Sequence, residues 1–166
     1  HKQLKWREKE MVYTQSPALT RDEIDSLIEK SKIARISSIN KDGTIHSVPV
    51  WYYYEDGNIV VATPKKSRRA GNIQRNNNVT ILIDEFGAHT KGIIFYGKAS
   101  IDEGDMDQTA HKIFSRYMSE EEAKGYWKGL SELTEWVKVT VEPVHIASFD
   151  YDKDSKYSEA TKKYSV

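Results

Sequence analysis

Three short strand patterns separated by tight turns occupy residues 33–63, and this arrangement constrains the fold more than any other feature of the sequence. The strand patterns are Ile33 to Ile39, Thr44 to Tyr54 and Ile59 to Thr63. The turns between them contain Asp42-Gly43 and Asp56-Gly57, and Asp-Gly pairs are typical of β-hairpins. Strands joined by such short turns run antiparallel, because a parallel connection needs a dozen or more residues. The sequence therefore predicts a β-meander and disfavours a doubly wound parallel sheet.

The rest of the chain adds more strands and a few helices. Apolar or alternating patterns predict four further strands, over Val79–Ile83, Gly92–Ile101, Trp136–Val141 and Val144–Phe149. Helical patterns cover residues 21–30, 67–76 and 105–127, and the segment after residue 150 is polar and expected to be loose. About seven strands with inserted helices predict a mainly β, α+β domain that resembles a β-barrel.

Charge and cysteine content exclude several functional classes. The 166 residues contain 25 Lys or Arg and 25 Asp or Glu, so no net charge draws the protein toward nucleic acid or an anionic membrane. The absence of cysteine excludes disulfides, thiolate metal sites and cysteine nucleophiles. No uncharged run approaches the roughly 20 residues of a membrane helix, and no signal-peptide core is present. We therefore expect a cytoplasmic protein with no membrane and no nucleic acid partner.

Common catalytic motifs are absent. The sequence has no phosphate-binding P-loop, no G-x-G-x-x-G and no G-x-S-x-G. The five histidines have no ligand spacing, so we expect no metal site. No side chain is assigned as a catalytic acid, base or nucleophile.

A basic segment interrupts this neutral background. No acidic residue lies between Gly57 and Ile83, while the cations Lys65, Lys66, Arg68, Arg69 and Arg75 all do. Ser67 is the predicted N-cap of a helix whose first turn contains Arg68 and Arg69. Cations oppose the helix dipole there, whereas an anion would meet free backbone N–H groups and guanidinium forks. The segment is either a phosphate site or an exposed basic face that aids solubility.

The strand before the basic segment contains a proline. Pro49 cannot donate to a strand ladder, so His46 to Trp51 is predicted to lie at a sheet edge or a bulge. An edge leaves backbone groups free to hydrogen-bond a flat heteroaromatic ring, although Trp51 and the following tyrosines also suit a core or a dimer interface. A mononucleotide site beside the phosphate site is the prediction.

In order and spacing, these segments resemble the flavin-binding split-barrel proteins related to pyridoxamine 5'-phosphate oxidase. The resemblance runs from about Ile33 to Phe149. It includes I-A-R-I-S-S-I-N-K-D-G, H-S-V-P-V-W-Y, I-V-V-A-T-P-K-K-S-R-R-A-G-N-I, V-T-I-L-I-D, I-I-F-Y-G-K-A-S-I and W-V-K-V-T-V-E-P-V-H-I-A-S-F.

The resemblance implies a six- to seven-stranded antiparallel split β-barrel with flanking helices, and a homodimer that binds flavin mononucleotide (FMN) at its interface. The domains are then an N-terminal extension and helix (1–32), the FMN-binding split barrel (33–150) and a polar tail (151–166). Carried over to this sequence, the strand orients the flavin ring, and the segment containing Thr63, Ser67, Arg68 and Arg69 grips the phosphate. The expected cofactor-binding residues are His46, Ser47, Val48, Pro49, Val50, Trp51, Ala62, Thr63, Lys65, Ser67, Arg68 and Arg69.

The implied function is a flavin-dependent oxidoreductase that acts on a small-molecule substrate or electron donor. Pyridoxamine phosphate oxidases have a C-terminal segment with Trp, Arg and His, and this chain ends without those residues, so vitamin B6 oxidation is not expected. An F420-dependent reductase on the same scaffold is an alternative, with Lys65 and Lys66 contacting a longer anionic tail. Further alternatives are a non-enzymatic flavin or stress protein and a nucleic-acid-binding barrel.

Overall fold

Seven strands and five α-helices make up the fold, which is described here from a computed structural model over residues 16–164. The first part of the predicted N-terminal extension (1–15) and the end of the predicted tail (165–166) lie outside the described residues. The strands are β1 Ala34–Ile39, β2 Ile45–Val50, β3 Tyr53–Glu55, β4 Asn58–Pro64, β5 Asn78–Phe86, β6 Thr90–Asp102 and β7 Trp136–Asp150. The helices are α1 Arg21–Lys30, α2 Arg68–Arg75, α3 Met106–Phe114, α4 Glu120–Leu133 and α5 Ser155–Lys162.

All seven strands form one antiparallel sheet in the order β2-β1-β5-β6-β7-β4-β3. The two edge strands, β2 and β3, follow each other along the chain with only Trp51 and Tyr52 between them. In a flat sheet these edges would be about 29 Å apart, since strands are spaced by about 4.8 Å. Three Cα–Cα steps span at most about 11 Å. The sheet must therefore curl until its edges meet, which confirms the predicted barrel-like α+β fold.

The curled sheet stays open along part of its seam. β3 pairs with β4 only through residues 58–60. Among the described strands, residues 61–64 of β4 therefore have β7 as their ladder partner on one side and none on the other. Of these strands, β2 pairs with β1 alone, which confirms the edge position predicted from Pro49. The free edges of β2 and β4 border a gap that we call the split.

Two apolar clusters stabilise the described structure. The first fills the barrel with inward-facing residues of the strands and with Leu27 and Ile28 of α1. The second lies outside the barrel, where Tyr53 and Val60 pack against Ile113 and Phe114 of α3 and against α4. The helix pair α3–α4 therefore covers β3 and β4 beside the split.

Several boundaries differ from the sequence predictions. The predicted strand from Thr44 to Tyr54 is two strands, because the chain crosses between sheet edges at residues 51–52. The helical pattern over 105–127 forms two helices, as the S-x-x-E spacing of Ser119 and Glu122 predicts, and their capping box begins the second helix.

The last two predicted strands are one strand, β7, with a register shift opposite Tyr96 and Gly97 of β6. A Cβ at Gly97 would lie only 2.7 Å from Cγ1 of Val141, so a side chain there would force the two strands apart.

The segment after residue 150 is ordered rather than loose. Asp154 caps α5 by accepting from the backbone N–H of Tyr157 at 2.9 Å. Nδ1 of His89 lies 2.6 Å from Oδ1 of Asp152, and Nζ of Lys153 lies 2.6 Å from a carboxylate oxygen of Glu23 on α1. Polar contacts with distant segments therefore hold this region, and local sequence patterns do not reveal them.

The side chain of Arg116 connects the crossing between the two sheet edges to the end of α1. Its guanidinium donates to the carbonyl of Tyr52, at the crossing between edges, and to the carbonyls of Ile28, Glu29 and Ser31 at the end of α1, at 2.9–3.2 Å for the last three. It also stacks over the Tyr52 ring at 4.4 Å. A cation at a helix C-terminus is favoured by the helix dipole. One side chain thus joins α1, the crossing and the end of α3.

We expect Arg116→Ala to lower the free energy of unfolding by about 2–4 kcal/mol, because it leaves several carbonyls without their charged donor. Urea unfolding followed by circular dichroism measures this change. Arg21→Ala is the matched control: Arg21 lies on α1 in an exposed ion pair with Asp25, and its loss should cost less than about 1 kcal/mol. Equal effects of the two substitutions would contradict the role given to Arg116.

Candidate functional site

The start of α2 follows directly on the free edge of β4, and this connection places the basic segment at the split. The chain turns at Pro64, whose carbonyl accepts from the N–H of Ser67 at 3.0 Å. The Ser67 hydroxyl then accepts from the N–H of Ala70 at 3.2 Å, which confirms the predicted N-cap. The first turn of α2 contains no acidic residue. Its free N–H groups and its cations are therefore available to an anion.

Arg69 is the central charge of the site. Its Nε donates to Oγ1 of Thr63 at 3.1 Å, and its Nη2 donates to the carbonyl of Ala62 at 3.4 Å. The side chain is half-buried, and burial lowers the pKa of its guanidinium. Among residues 16–164, no carboxylate lies within 4.0 Å of it. A half-buried cation without a counter-ion is costly, and an anion from outside the chain would remove that cost.

Thr63 holds Arg69 in place. Its side chain is fully buried and accepts the hydrogen bond from Nε of Arg69. The sequence assigns Thr63 to the phosphate site, and in the structure its hydroxyl oxygen contacts the guanidinium that lies there. Thr63 therefore fixes the direction of the arginine fork.

The other cations of the basic segment point to different places. Nζ of Lys65 lies 2.9 Å from Glu103 and 3.4 Å from Glu135, and the hydrogen bond that the ammonium donates to Glu103 raises the lysine pKa. Arg68 is exposed and lines a groove of about 410 Å³ between α2 and the β1–β2 turn, with Arg75 and Asp42 also in its wall. The basic segment is thus divided. Lys65 is paired with carboxylates, and Arg68 shares its groove with Asp42, whose pKa its charge helps to lower. Among the described residues, neither Arg68 nor Arg69 has a carboxylate within 4.0 Å.

Five of the predicted cofactor-binding residues surround one cavity of about 210 Å³ beside the split. They come from the end of β2, from β4 and from α2: Pro49, Val50, Trp51, Ala62 and Arg69. The structure therefore brings together the strand and the basic segment that the sequence singled out separately.

The remaining predicted residues of β2 lie nearer its start. Ser47 is exposed on the outer face of the sheet, where its hydroxyl hydrogen-bonds that of Ser37. His46 and Val48 alternate with it and are half-buried. These three residues do not line the cavity, and they border the free edge of β2.

The opposite wall of the cavity is aromatic, and sequence analysis missed it. Phe114 of α3, Tyr126 and Leu130 of α4 and Trp136 of β7 form this wall. The sequence predicts Phe114 as part of an apolar helix face, but nothing local shows that α4 folds back over β4. An unusual density of aromatic residues between 114 and 136 is the signal that was available.

The described residues offer binding groups at this site but few catalytic ones. The lining of the cavity contains no Asp, Glu, His or Lys side chain. Within residues 16–164, no group of three or more His, Asp or Glu side chains is arranged to hold a metal ion. No helix in the same range is long and apolar enough to cross a bilayer.

Comparison with known proteins gives a family match over most of the chain. Residues 20–146 match the family model described as pyridoxamine 5'-phosphate oxidase. No curated protein sequence matches the chain.

Solved structures share the fold at low sequence identity. A conserved hypothetical protein from Mycobacterium tuberculosis superposes with a TM-score of 0.71 and 24% identity, over 84% of this chain and 92% of that one. A FAD-binding protein from Mesorhizobium loti gives 0.56 and 18%, over 80% and 93% of the two chains. An F420 reductase gives 0.58 and 15%, over 74% and 94%. These similarities support the fold, and the proteins compared differ in cofactor.

Proposed function

The chain belongs to the pyridoxamine 5'-phosphate oxidase family, and from this premise we propose that it binds FMN at the split and acts as a flavin-dependent oxidoreductase. The half-buried guanidinium of Arg69, which has no carboxylate partner among the described residues, is the observation that carries the proposal. A phosphate ester supplies the missing negative charge, and its oxygens match the planar guanidinium fork.

The beginning of α2 would hold the phosphate. Arg69 is already oriented by Thr63 and by the carbonyl of Ala62, so little side-chain entropy is lost on binding. Arg68, on the same helical turn, is exposed and has no carboxylate within 4.0 Å among the described residues. The backbone N–H groups of the first turn add further donors.

The free edge of β2 would orient the flavin ring. Half of the peptide groups of an edge strand point away from its single neighbour, and the strand from His46 to Val50 pairs only with β1. The pyrimidine part of a flavin carries both donors and acceptors, which such an edge satisfies. Pro49 removes one N–H from this strand and so helps to keep another strand from pairing there.

Bound flavin would supply the hydride or electron transfer, since the described lining of the cavity contains no Asp, Glu, His or Lys side chain. The chain's contribution is to neutralise the phosphate and to align the ring along β2. Substrate and electron donor are small molecules in this proposal, and the cytoplasmic location expected from the sequence stays a prediction.

An F420 reductase is the second candidate, supported by a structural neighbour of that description. F420 has a longer anionic tail and needs further cations near the phosphate. Lys65, expected to serve there, is neutralised by Glu103 and Glu135, and this pairing favours FMN. A flavin carrier without enzymatic activity would use the same site.

We expect Arg69→Gln to weaken FMN binding about 10- to 100-fold, because a charge-assisted contact to the phosphate contributes about 1.5–3 kcal/mol. Thr63→Val keeps the charge of Arg69 but removes the hydrogen-bond acceptor of its Nε, so this variant should weaken FMN binding by a smaller factor. Quenching of flavin fluorescence on titration gives both dissociation constants. Arg21→Gln, a surface arginine on α1, serves as the control. An unchanged dissociation constant for Arg69→Gln would place the phosphate elsewhere.

The homodimer implied by the family resemblance would form through the outer face of the sheet. Four large apolar side chains are exposed there: Ile45 (72%), Tyr96 (45%), Val144 (72%) and Ile146 (38%). Three of them surround a depression of about 500 Å³. Monomers rarely expose such a patch, and a second copy of the chain would cover it. Ile45 and Pro49 lie on the same face of β2, so this interface would border the flavin site.

We expect Ile45→Glu to convert the dimer to a monomer, because it buries a carboxylate in the apolar contact. Light scattering during size-exclusion chromatography gives the molar mass. Phe86→Glu is the matched control, since Phe86 is 89% exposed at the far end of β5. A wild-type monomer, or a dimer that survives Ile45→Glu, would exclude this face.

A further inference from the structure

The cavity beside the split has an aromatic half that phosphate binding does not use. Its rings belong to Trp51, Phe114, Tyr126 and Trp136, and Leu130 lies between the last two along the chain. Trp51 and Leu130 pack against the apolar cluster under α3–α4, on the outer side of β4. This half of the cavity is thus walled by the helix pair, away from the free edge of β2.

The rings are held in fixed positions. The indole of Trp51 stacks on Tyr117, with centroids 4.4 Å apart and planes 13° apart, and on Tyr126 at 5.7 Å and 26°. Phe114 meets Tyr126 edge to face at 4.9 Å. The Trp136 indole donates to the carbonyl of Leu130 at 2.9 Å. A wall ordered in this way loses little entropy when it binds a ligand.

The charge and size of the cavity restrict that ligand. Arg69 is the only charged side chain that residues 16–164 contribute to the lining, and the proposed function assigns it to the cofactor phosphate. With that charge neutralised, neither an anion nor a cation finds a partner among the lining side chains. The volume of about 210 Å³ lies below the usual range for ligand cavities of about 300–1,000 Å³. A cavity of this volume therefore accommodates a ligand of one ring or two fused rings.

We propose that this aromatic cavity binds an uncharged, planar aromatic molecule of one or two rings, as a second ligand beside the cofactor. The inference rests on the proposed function in one respect: the cofactor phosphate must neutralise the charge of Arg69. An aromatic ligand can pack on these side chains face to face or edge to face, and such contacts favour aromatic over saturated molecules of equal size. Tyr126 is 43% exposed, so it forms the accessible part of this wall.

Three matched probes test the proposal on the FMN-saturated protein by isothermal titration calorimetry: 2-naphthol, the anion naphthalene-2-sulfonate and the saturated decahydro-2-naphthol. We expect 2-naphthol to bind at one site per chain, at least about tenfold more tightly than either of the others. On the FMN-free protein the sulfonate should gain affinity, because Arg69 is then unneutralised. Absence of 2-naphthol binding, displacement of FMN by 2-naphthol, or equal binding of the saturated analogue would overturn the inference.

The variant Tyr126→Ala distinguishes binding in the aromatic cavity from binding at the flavin site. We expect it to weaken 2-naphthol binding about tenfold or more and to leave FMN affinity unchanged, since Tyr126 lies on α4 and the proposed function assigns the phosphate to α2 and the flavin ring to β2. Tyr164→Ala, another exposed tyrosine, is the control. Unchanged 2-naphthol affinity in Tyr126→Ala would overturn the inference. A protein that binds 2-naphthol but never FMN would retain the aromatic cavity and remove the proposed function instead.

Discussion

The crossing of the chain between two sheet edges, at Trp51 and Tyr52, is the constraint on which the rest of the structure depends. Two residues join edges that a flat sheet would separate by about 29 Å, so the sheet must close on itself. Arg116 and the Tyr52 hydroxyl fasten the crossing to the end of α1, the hydroxyl by donating to the carbonyl of Ile28 at 2.7 Å. The seam beyond the crossing stays open, because β3 is only three residues long. The split is thus a consequence of how the barrel is closed.

The open seam leaves backbone groups and a charge without partners, and a bound ligand would supply those partners. Strand edges expose unpaired backbone groups, and the start of α2 holds a half-buried arginine without a carboxylate among the described residues. If Arg69 served only the stability of the fold, we would expect a carboxylate beside it, as Lys65 has in Glu103 and Glu135. This contrast between two nearby cations is the reason for which we propose Arg69, and not Lys65, as the charge that binds a phosphorylated cofactor.

Local patterns in the sequence predicted those features whose causes are local. The Asp-Gly turns, the edge position of Pro49 and the Ser67 cap each depend on a few neighbouring residues, and the structure confirms all three. The break at residues 51–52 was missed because it depends on where β4 lies. The carboxylate partners of Lys65 and the aromatic wall from α4 were missed for the same reason: they come from distant parts of the chain. The number of strand patterns predicted a barrel-like domain, and the family resemblance added its split form and the expected cofactor class.

Comparing FMN with riboflavin tests the central claim most directly, because the two ligands share a ring and differ by the phosphate. Each is titrated into the purified wild-type protein, and the shift of the visible flavin spectrum gives the dissociation constant. If Arg69 and the start of α2 bind the phosphate, FMN should bind at least about 10- to 100-fold more tightly than riboflavin. Equal affinities, or no binding of either compound, would contradict the account.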